Sequence, residues 1–250
     1  MFETTARAIV AMLALVGLPA AGAFAIDADT LIAKHIEARG GAESLRALTS
    51  LRRQGHLIIP GANFNISAST LVVRGAGVRD EFALQGLLFI DAFDGKDAWK
   101  VDPSEGRKDP ARMSADEAKP LVLQADLDSP LLDYQAKGHS VEYLGLDDID
   151  GTPAHKLRLH LKNGDEVVYY IDPDTFMIIR DVQKQIVRGA QQETETDYGE
   201  YEKVNGVYVP MSENSGPKNS DSSQKQQLVF DTAVANGAAD PAQFAFPVRK

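Results

Sequence analysis

The sequence predicts an α+β fold that is mainly β, in which helices cover the concave face of one curved antiparallel sheet of about eleven strands. Three observations lead to this fold class. From Thr49 onward, apolar and polar residues alternate with a period of two, which is typical of strands. Short turn-forming segments separate these stretches, and only residues 27–48 and 114–138 have helical patterns. A sheet with one apolar face twists and curls, so its concave face requires a helical cover.

Residues 1–25 have the pattern of a secretory signal peptide. The apolar run Ala8–Leu18 is shorter than the roughly 20 residues that a membrane-spanning helix needs. Ala23-Phe24-Ala25 fits the small-x-small rule for cleavage. We therefore expect a periplasmic chain that begins at Ile26, is not an integral membrane protein, and folds residues 26–250 as a single domain.

The composition restricts the classes of partner and of chemistry. The 250 residues carry a formal net charge of −10, and such a surface repels nucleic acid and anionic membranes. The chain contains no cysteine, which excludes disulfides, thiol catalysis and thiolate metal sites. With 44% apolar residues, the chain can bury a sizeable core without such cross-links.

Two helices are predicted at the start of the mature chain, and a meander of strands follows them. Asp27 or Asp29 can cap a helix that runs through Arg39, and a shorter helix is expected at Ala42–Leu48. The first four strands are predicted at Leu51–Ile59, Phe64–Val73, Val78–Leu84 and Leu87–Phe93. On the second of these, the residues that share one face are Phe64, Ile66, Ala68, Thr70 and Val72.

The segment Phe93–Pro103 is expected to pair two strands around a tight turn. Asp94-Gly95 is a favoured signal for a two-residue hairpin turn. The strand after this turn carries Trp99, the only tryptophan of the chain. Two interpretations stay open: Trp99 packs in the core of the sheet, or it borders a cavity under the helices.

A helical segment interrupts the strands after Met113. Ser114 and Glu117 form a capping box, so a helix is expected to start there, and Pro120 is expected to restart it. Residues 121–134 are apolar nearly all round. They must therefore be covered on more than one side, or must themselves cover something.

The second half of the chain returns to strands. Asn163-Gly164 predicts a type I′ hairpin turn, and a further turn is predicted at Asn205-Gly206. Glu193 and Glu195 alternate with threonines and are interpreted as facing solvent. The predicted strands are Ser140–Leu146, His155–Leu161, Val167–Ile171, Phe176–Val187, Gln191–Tyr201, Val207–Met211 and Gln224–Phe230.

The search for catalytic motifs is negative. The sequence has no nucleophile elbow, zinc-protease motif, phosphate-binding loop or dinucleotide fingerprint. His155 and His160 lie on opposite faces of one predicted strand, so they cannot share a metal ion there. The acidic turn Asp147–Gly151 lacks the spacing of a calcium loop. We therefore predict no catalytic residue, no metal site and no cofactor, and a protein that is not an enzyme.

Several short motifs occur in an order that resembles a known family. They include Gly55–Leu57, a Thr-Leu-Val-Val-Arg strand that ends at Arg74, and the D-G-K-x-x-W-x-x-x-P pattern of Asp94–Pro103. An apolar helical stretch at Leu121–Leu127 and an F-x-F pattern at Phe244–Phe246 follow. In this order and spacing the chain resembles the periplasmic lipoprotein-carrier (LolA/LolB-like) superfamily, in particular its outer-membrane lipoprotein-sorting branch.

The resemblance implies an incomplete β-barrel with a helical lid over an apolar cavity for acyl chains. It implies that Arg74 holds the lid closed through hydrogen bonds to helix carbonyls, although an exposed turn arginine is an equally good interpretation. The partners implied are lipid or lipoprotein acyl chains and an envelope membrane complex, and the carrier is expected to be a monomer. The candidate cavity residues are Phe64, Ile66, Phe82, Leu84, Leu88, Ile90, Trp99, Leu121 and Leu123.

Alternatives to a lipoprotein carrier stay open at this point. Gly75 follows Arg74 where the carriers have proline, and the half of the sheet after Gly138 is longer and more charged than in a dedicated carrier. A periplasmic lipid-binding or envelope-maintenance role is therefore equally compatible with the sequence. A structural or interaction protein of the envelope with a filled core is a further hypothesis, and a hydrolase with an unrecognised site is the last.

Overall fold

The computed structural model describes residues 26–106, 108–187 and 189–247. The expected signal peptide, residues 1–25, lies outside the described residues. The helices are α1 (Ala28–Ala38), α2 (Ala42–Ala47) and α3 (Ala115–Gln124). The strands are β1 (Ser50–Ile58), β2 (Ile66–Val73), β3 (Gly77–Leu84), β4 (Leu87–Phe93), β5 (Ala98–Val101), β6 (Ala111–Arg112), β7 (Ser140–Ile149), β8 (Thr152–His160), β9 (Glu166–Ile171), β10 (Ile178–Val187), β11 (Ala190–Val204), β12 (Val207–Pro217) and β13 (Gln226–Ala235).

The strands of the described residues form one antiparallel sheet of thirteen strands, which confirms the predicted fold class. Their order is β6-β5-β4-β3-β2-β1-β13-β12-β11-β10-β9-β8-β7. The last strand, β13, pairs with β1 and so joins the two meanders. Because β6 and β7 are neighbours in the sequence but lie at opposite edges of the sheet, the sheet stays open and the barrel is incomplete.

The connection between the two edges covers the concave face. It carries α3, whose Ala118 and Leu121 are buried against Val72, Val78 and Phe93 of the first meander. Helices α1 and α2 pack on the second meander, where a larger core forms around Leu31, Leu45, Leu157, Val207 and Met211. The concave face therefore has helices above both halves of the sheet.

The helix ends follow the capping residues of the sequence. Asp27 accepts a hydrogen bond from the Thr30 amide and caps α1. Ser114 and Glu117 form the predicted capping box of α3. Pro120 was expected to restart the helix, but α3 continues through it. Since Ala118 and Leu121 are buried on either side of Pro120, packing outweighs the loss of one helical hydrogen bond.

Gly40 brings the end of α1 against the hairpin between β11 and β12. Its φ is +117°, and a β-carbon there would lie 2.1 Å from the Gly206 carbonyl oxygen. The Tyr208 amide donates to the Arg39 carbonyl at 2.9 Å in the same contact. Only glycine fits at this position, and the contact fixes the backbone of Arg39 over the sheet.

Two of the three predicted tight turns are wrong. Phe93 pairs with Ala98, so residues 94–97 form a four-residue loop in which the Asp94 carboxylate accepts from the Lys96 and Asp97 amides. His160 pairs with Glu166, which leaves five residues around Asn163-Gly164. At Asn205-Gly206 the two-residue turn is confirmed, because Val204 pairs with Val207 and both turn residues have positive φ.

Candidate functional site

Two adjoining cavities lie on the concave face, and we call them the outer and inner chambers. The outer chamber has a volume of about 400 Å³, and the inner chamber about 370 Å³. Glu213 and Ser215 line both, so the two chambers meet along β12. The outer chamber is lined by Leu57, Ile59, Phe64, Ile66, Phe82, Leu84, Phe89, Asp91, Glu213, Ser215, Gln226 and Leu228.

The outer chamber is mainly apolar. Phe82 and Phe89 face each other across β3 and β4, and Ile66 on β2 is buried beside them. Phe64 lies at the rim, where 43% of its surface is exposed. An exposed aromatic ring beside a partly open apolar cavity is typical of the mouth of a ligand-binding pocket.

The inner chamber is polar, which differs from the apolar cavity expected from the resemblance. Helix α1 contributes His35, and Arg39 caps its C-terminal end. Helix α3 and the connection after it contribute Pro120, Leu123, Gln124, Asp126, Leu127, Ser129 and Pro130. The sheet contributes Arg53, Tyr169, Ile178, Asp181, Gln183, Thr196, Tyr198, Tyr201, Pro210, Glu213 and Ser215.

Asp181 is the most deeply buried carboxylate of the inner chamber. Tyr198 donates a hydrogen bond to its Oδ2 at 2.8 Å, and Oδ1 has no partner among the described residues. Burial raises the pKa of Asp181 to about 7, because the charged form loses its hydration. Around neutral pH, Asp181 therefore exchanges between a carboxylate and a neutral acid.

The two arginines of the inner chamber differ in their partners. The Arg53 Nη1 donates to the Glu213 carboxylate and to the Pro210 carbonyl, so its charge is balanced. The Arg39 Nε donates to the Tyr208 carbonyl at 3.2 Å. Among the residues that the structure describes, no carboxylate forms an ion pair with Arg39.

His35 is fully buried at the wall of the inner chamber. Its Nδ1 lies 2.8 Å from the Phe176 carbonyl oxygen, so Nδ1 carries the proton and donates. Its Nε2 is then an acceptor, and it has no partner in the described part of the chain. Burial and the nearby Arg39 charge lower the pKa of His35 to about 4, so the ring is neutral.

A second carboxylate with a raised pKa lies on β3 beneath α3. The Gln124 Nε2 donates to the Asp80 Oδ1 at 3.0 Å. Burial raises the pKa of Asp80 to about 7, and the hydrogen bonds from Thr70 and Gln124 oppose that shift only partly. The concave face therefore holds two carboxyl groups that titrate near neutral pH.

Arg74 joins three parts of the covering segments. Its guanidinium donates to the carbonyls of Leu48 (2.7 Å) and Leu45 (2.9 Å) at the end of α2. It also forms a two-pronged ion pair with Asp128, which lies in the connection after α3. This side chain is therefore bonded to α2 and to the connection, while 36% of its surface is exposed.

The structure brings four of the nine candidate cavity residues together in the outer chamber. These are Phe64, Ile66, Phe82 and Leu84. Leu123 lines the inner chamber, and Leu121 is buried in the core between α3 and the sheet. Leu88, Ile90 and Trp99 do not line either chamber.

Trp99 and Ile90 lie on the other face of the sheet. They pack with Ala92 and Phe246, and only 1% of the Trp99 surface is exposed. The Trp99 Nε1 donates to the Phe244 carbonyl at 2.7 Å, so the C-terminal segment covers the ring. The placement of Trp99 therefore agrees with the core interpretation.

The polar residues of the inner chamber carry no motif in the sequence, and the sequence analysis did not select them. On β11, Glu193 and Glu195 were interpreted as solvent-facing. For Glu195 that interpretation is wrong, because it is buried and accepts a hydrogen bond from Lys225 at 2.7 Å. The alternation of Thr194, Thr196 and Tyr198 was the one available signal of an inward-facing row.

In residues 26–106, 108–187 and 189–247, no cluster of three or more potential metal ligands occurs. Within the same residues, no helix has the length and apolar character needed to span a membrane.

The chain was compared with known families and structures. No family model matches it, and no curated protein matches it. Solved structures are similar in fold. An outer membrane lipoprotein-sorting protein domain from Vibrio parahaemolyticus shares 13% identity, with 85% of this chain and 94% of that chain covered and a TM-score of 0.55.

Two further structures give the same result. A DUF1329 family protein from Desulfovibrio piger shares 11% identity at a TM-score of 0.56, with 87% of this chain and 96% of that chain covered. A LolA superfamily protein from Nitrosomonas europaea shares 15% identity at a TM-score of 0.55, with 88% of this chain and 98% of that chain covered. The chain thus has the fold of the LolA superfamily and of lipoprotein-sorting domains.

Proposed function

We propose that the protein is a periplasmic carrier that binds lipids, or the acyl chains of lipidated proteins, between the curved sheet and its helices. The observation that supports this most is the outer chamber, a partly open apolar cavity that adjoins a second cavity beneath α3. The similar folds include proteins named for lipoprotein sorting. Binding requires no covalent chemistry, and the ligand would pass on to an envelope membrane complex.

The size and lining of the chambers suit an acyl chain. Each methylene group that leaves water contributes roughly 0.8 kcal/mol, so several methylenes against Ile66, Phe82 and Phe89 give a useful affinity. The combined cavities fall within the range of about 300–1,000 Å³ that is typical of ligand pockets. Burial of apolar surface alone is therefore sufficient to bind an apolar ligand.

Phe82→Asp is expected to lower the affinity for an apolar ligand about thirtyfold, because a charge replaces roughly 2 kcal/mol of apolar contact in the outer chamber. Titration with the fluorescent probe N-phenylnaphthylamine measures this affinity. Leu88→Asp is the matched control, since Leu88 lies close by on β4 but is 42% exposed and outside both chambers. Equal loss in both variants would place the ligand elsewhere.

We also propose that Arg74 acts as a latch that holds the covering segments over the chambers. Arg74→Gln removes the ion pair with Asp128 and weakens the bonds to the α2 carbonyls. Bonds to charged groups contribute about 1–3 kcal/mol each, so ligand dissociation is expected to accelerate about tenfold or more. Stopped-flow displacement of the probe measures the rate.

Arg46→Gln is the matched control for the latch. Arg46 forms a similar pair with Asp133, but both side chains are about half exposed, and such surface pairs contribute about 0–1 kcal/mol. Its dissociation rate should stay within about threefold of the unmodified protein. An unchanged rate of ligand dissociation in Arg74→Gln would contradict the proposal that Arg74 is a latch.

A further inference from the structure

The inner chamber contains the guanidinium of Arg39, which forms no ion pair with a carboxylate of the described residues. Arg39 ends α1, and its Nε donates to the Tyr208 carbonyl. The carboxylates that line the same chamber are Asp126, Asp181 and Glu213. Asp126 pairs with Lys137, and Glu213 pairs with Arg53. Burial and repulsion from Arg53 lower the pKa of Arg39, and the phenol groups of Tyr201, Tyr169 and Tyr198 oppose this shift only in part. A partly buried cation without an anionic partner is costly, which points to an anionic group from outside the protein.

The surroundings of Arg39 are suited to hydrogen bonding. The phenol rings of Tyr169, Tyr198 and Tyr201 line the same chamber. The Asp181 Oδ1 is buried, lacks a partner among the described residues and borders this chamber. When Asp181 is protonated, it adds a donor and removes a repulsive charge. The wall therefore offers one unbalanced cation and several polar groups to a bound headgroup.

The two adjoining chambers differ in the chemistry of their linings: the outer one is mainly apolar and the inner one is polar. Glu213 and Ser215 border both chambers, so a ligand can occupy the apolar outer chamber and reach the polar inner one. An acyl chain can pack against the apolar lining of the outer chamber, but it leaves the Arg39 guanidinium without an anionic partner. A ligand with an apolar chain and an anionic end can pack against the outer chamber and also pair with Arg39.

We propose that Arg39 binds the anionic headgroup of an amphiphile, a carboxylate or a phosphate, in the inner chamber while the acyl chain of the same molecule lies in the outer chamber. This inference rests on the proposed carrier function and names its class of ligand. Arg39 acts as a specificity-determining residue, because a neutral headgroup gains nothing from its charge.

Three probes of equal chain length test this assignment: hexadecanoate, hexadecyl phosphate and hexadecanol. The two anions are kept below their critical micelle concentrations, and the alcohol is kept below its solubility limit. Displacement of N-phenylnaphthylamine from the full exported chain measures their affinities. At least one of the two anions is expected to bind about tenfold or more tightly than the alcohol, since a charge-assisted pair is worth more than a neutral bond. The tighter of the two anions identifies the headgroup as a carboxylate or a phosphate.

Arg39→Gln is expected to abolish the preference and to leave the affinity for hexadecanol within about twofold. Arg39→Lys keeps the positive charge and should retain most of the preference. Arg46→Gln, which changes an arginine outside both chambers, should retain all of it. Circular dichroism checks that each variant is folded.

Two results would overturn the inference, and they are distinguishable. If the unmodified protein binds the alcohol as tightly as both anions, the headgroup assignment is wrong while the carrier function stands. This comparison uses only the unmodified protein, so it tests the headgroup assignment even if Arg39→Gln does not fold. If none of the three probes binds, the carrier function fails, and the headgroup assignment fails with it.

Discussion

Replacing Trp99 with alanine is expected to lower the free energy of unfolding by about 3–5 kcal/mol, the usual cost of truncating a fully buried tryptophan. The ring packs with Ile90, Ala92 and Phe246, and the Trp99 and Phe246 rings are nearly perpendicular at a centroid distance of 6.3 Å. Its removal also leaves the Phe244 carbonyl without its donor. Urea unfolding followed by circular dichroism measures the loss, because the variant has no tryptophan fluorescence.

Ligand affinity separates this structural role from a role in the cavity. In Trp99→Phe, which keeps most of the apolar contact but not the indole donor, we expect a smaller loss of about 1–3 kcal/mol. Both variants, when folded, should bind N-phenylnaphthylamine as the unmodified protein does, since Trp99 lies outside both chambers. Weaker binding together with unchanged stability would show that the ring borders the ligand.

Stability is expected to fall as the pH rises from about 4 to 7, because of Asp80 and Asp181. Burial raises the pKa of each carboxyl group to about 7 from an ordinary value of 3.8. Between these values the folded state holds protons that the unfolded state has released, so the free energy of unfolding decreases with rising pH. The contribution of each group is present below pH 4 and is lost above pH 7.

Asn replacements test this pH dependence. Asp181→Asn and Asp80→Asn remove the cost of a buried charge, so each is expected to stabilise the protein at pH 8 by about 2–4 kcal/mol and to change little at pH 4. The amide oxygen can still accept from Tyr198 or Gln124. Urea unfolding at both pH values measures the difference.

An exposed carboxylate serves as the control for the two buried ones. In Asp231→Asn, whose side chain is largely exposed, the free energy of unfolding should change by less than about 0.5 kcal/mol at either pH. If Asp181→Asn instead destabilises the protein at pH 8, the carboxylate is charged and stabilised in the folded state. The raised pKa would then be refuted.

The sequence predicted the architecture because strand and helix patterns are local. The alternation on β2 and β3 placed Ile66, Phe82 and Leu84 on one face, and the structure places them together. Strand β4 has no such alternation, since its Leu-Leu-Phe-Ile run is apolar on both faces. From that run the inward residue could not be identified: Phe89, not Leu88 or Ile90, lines the outer chamber.

The polar inner chamber could not be predicted, because its enclosure depends on tertiary structure. Arg39, Arg53 and Asp181 come from distant parts of the sequence, and a charged residue in a strand ordinarily faces solvent. These side chains become enclosed only because the connection with α3 crosses the concave face between the two edges of the sheet. Arg74 was singled out through the resemblance alone, and its bonds to α2 and Asp128 became visible in the structure.

The central claim is that the chambers between the sheet and the helices carry an amphiphile. Native mass spectrometry of the protein, expressed from its full sequence in a bacterium and purified from the periplasm without detergent, tests it most directly. The account predicts a bound species with the mass of a lipid or fatty acid, retained in the unmodified protein and depleted in Phe82→Asp but not in Leu88→Asp. Protein that is consistently free of lipid, and that also fails to bind added hexadecanoate, would contradict the account.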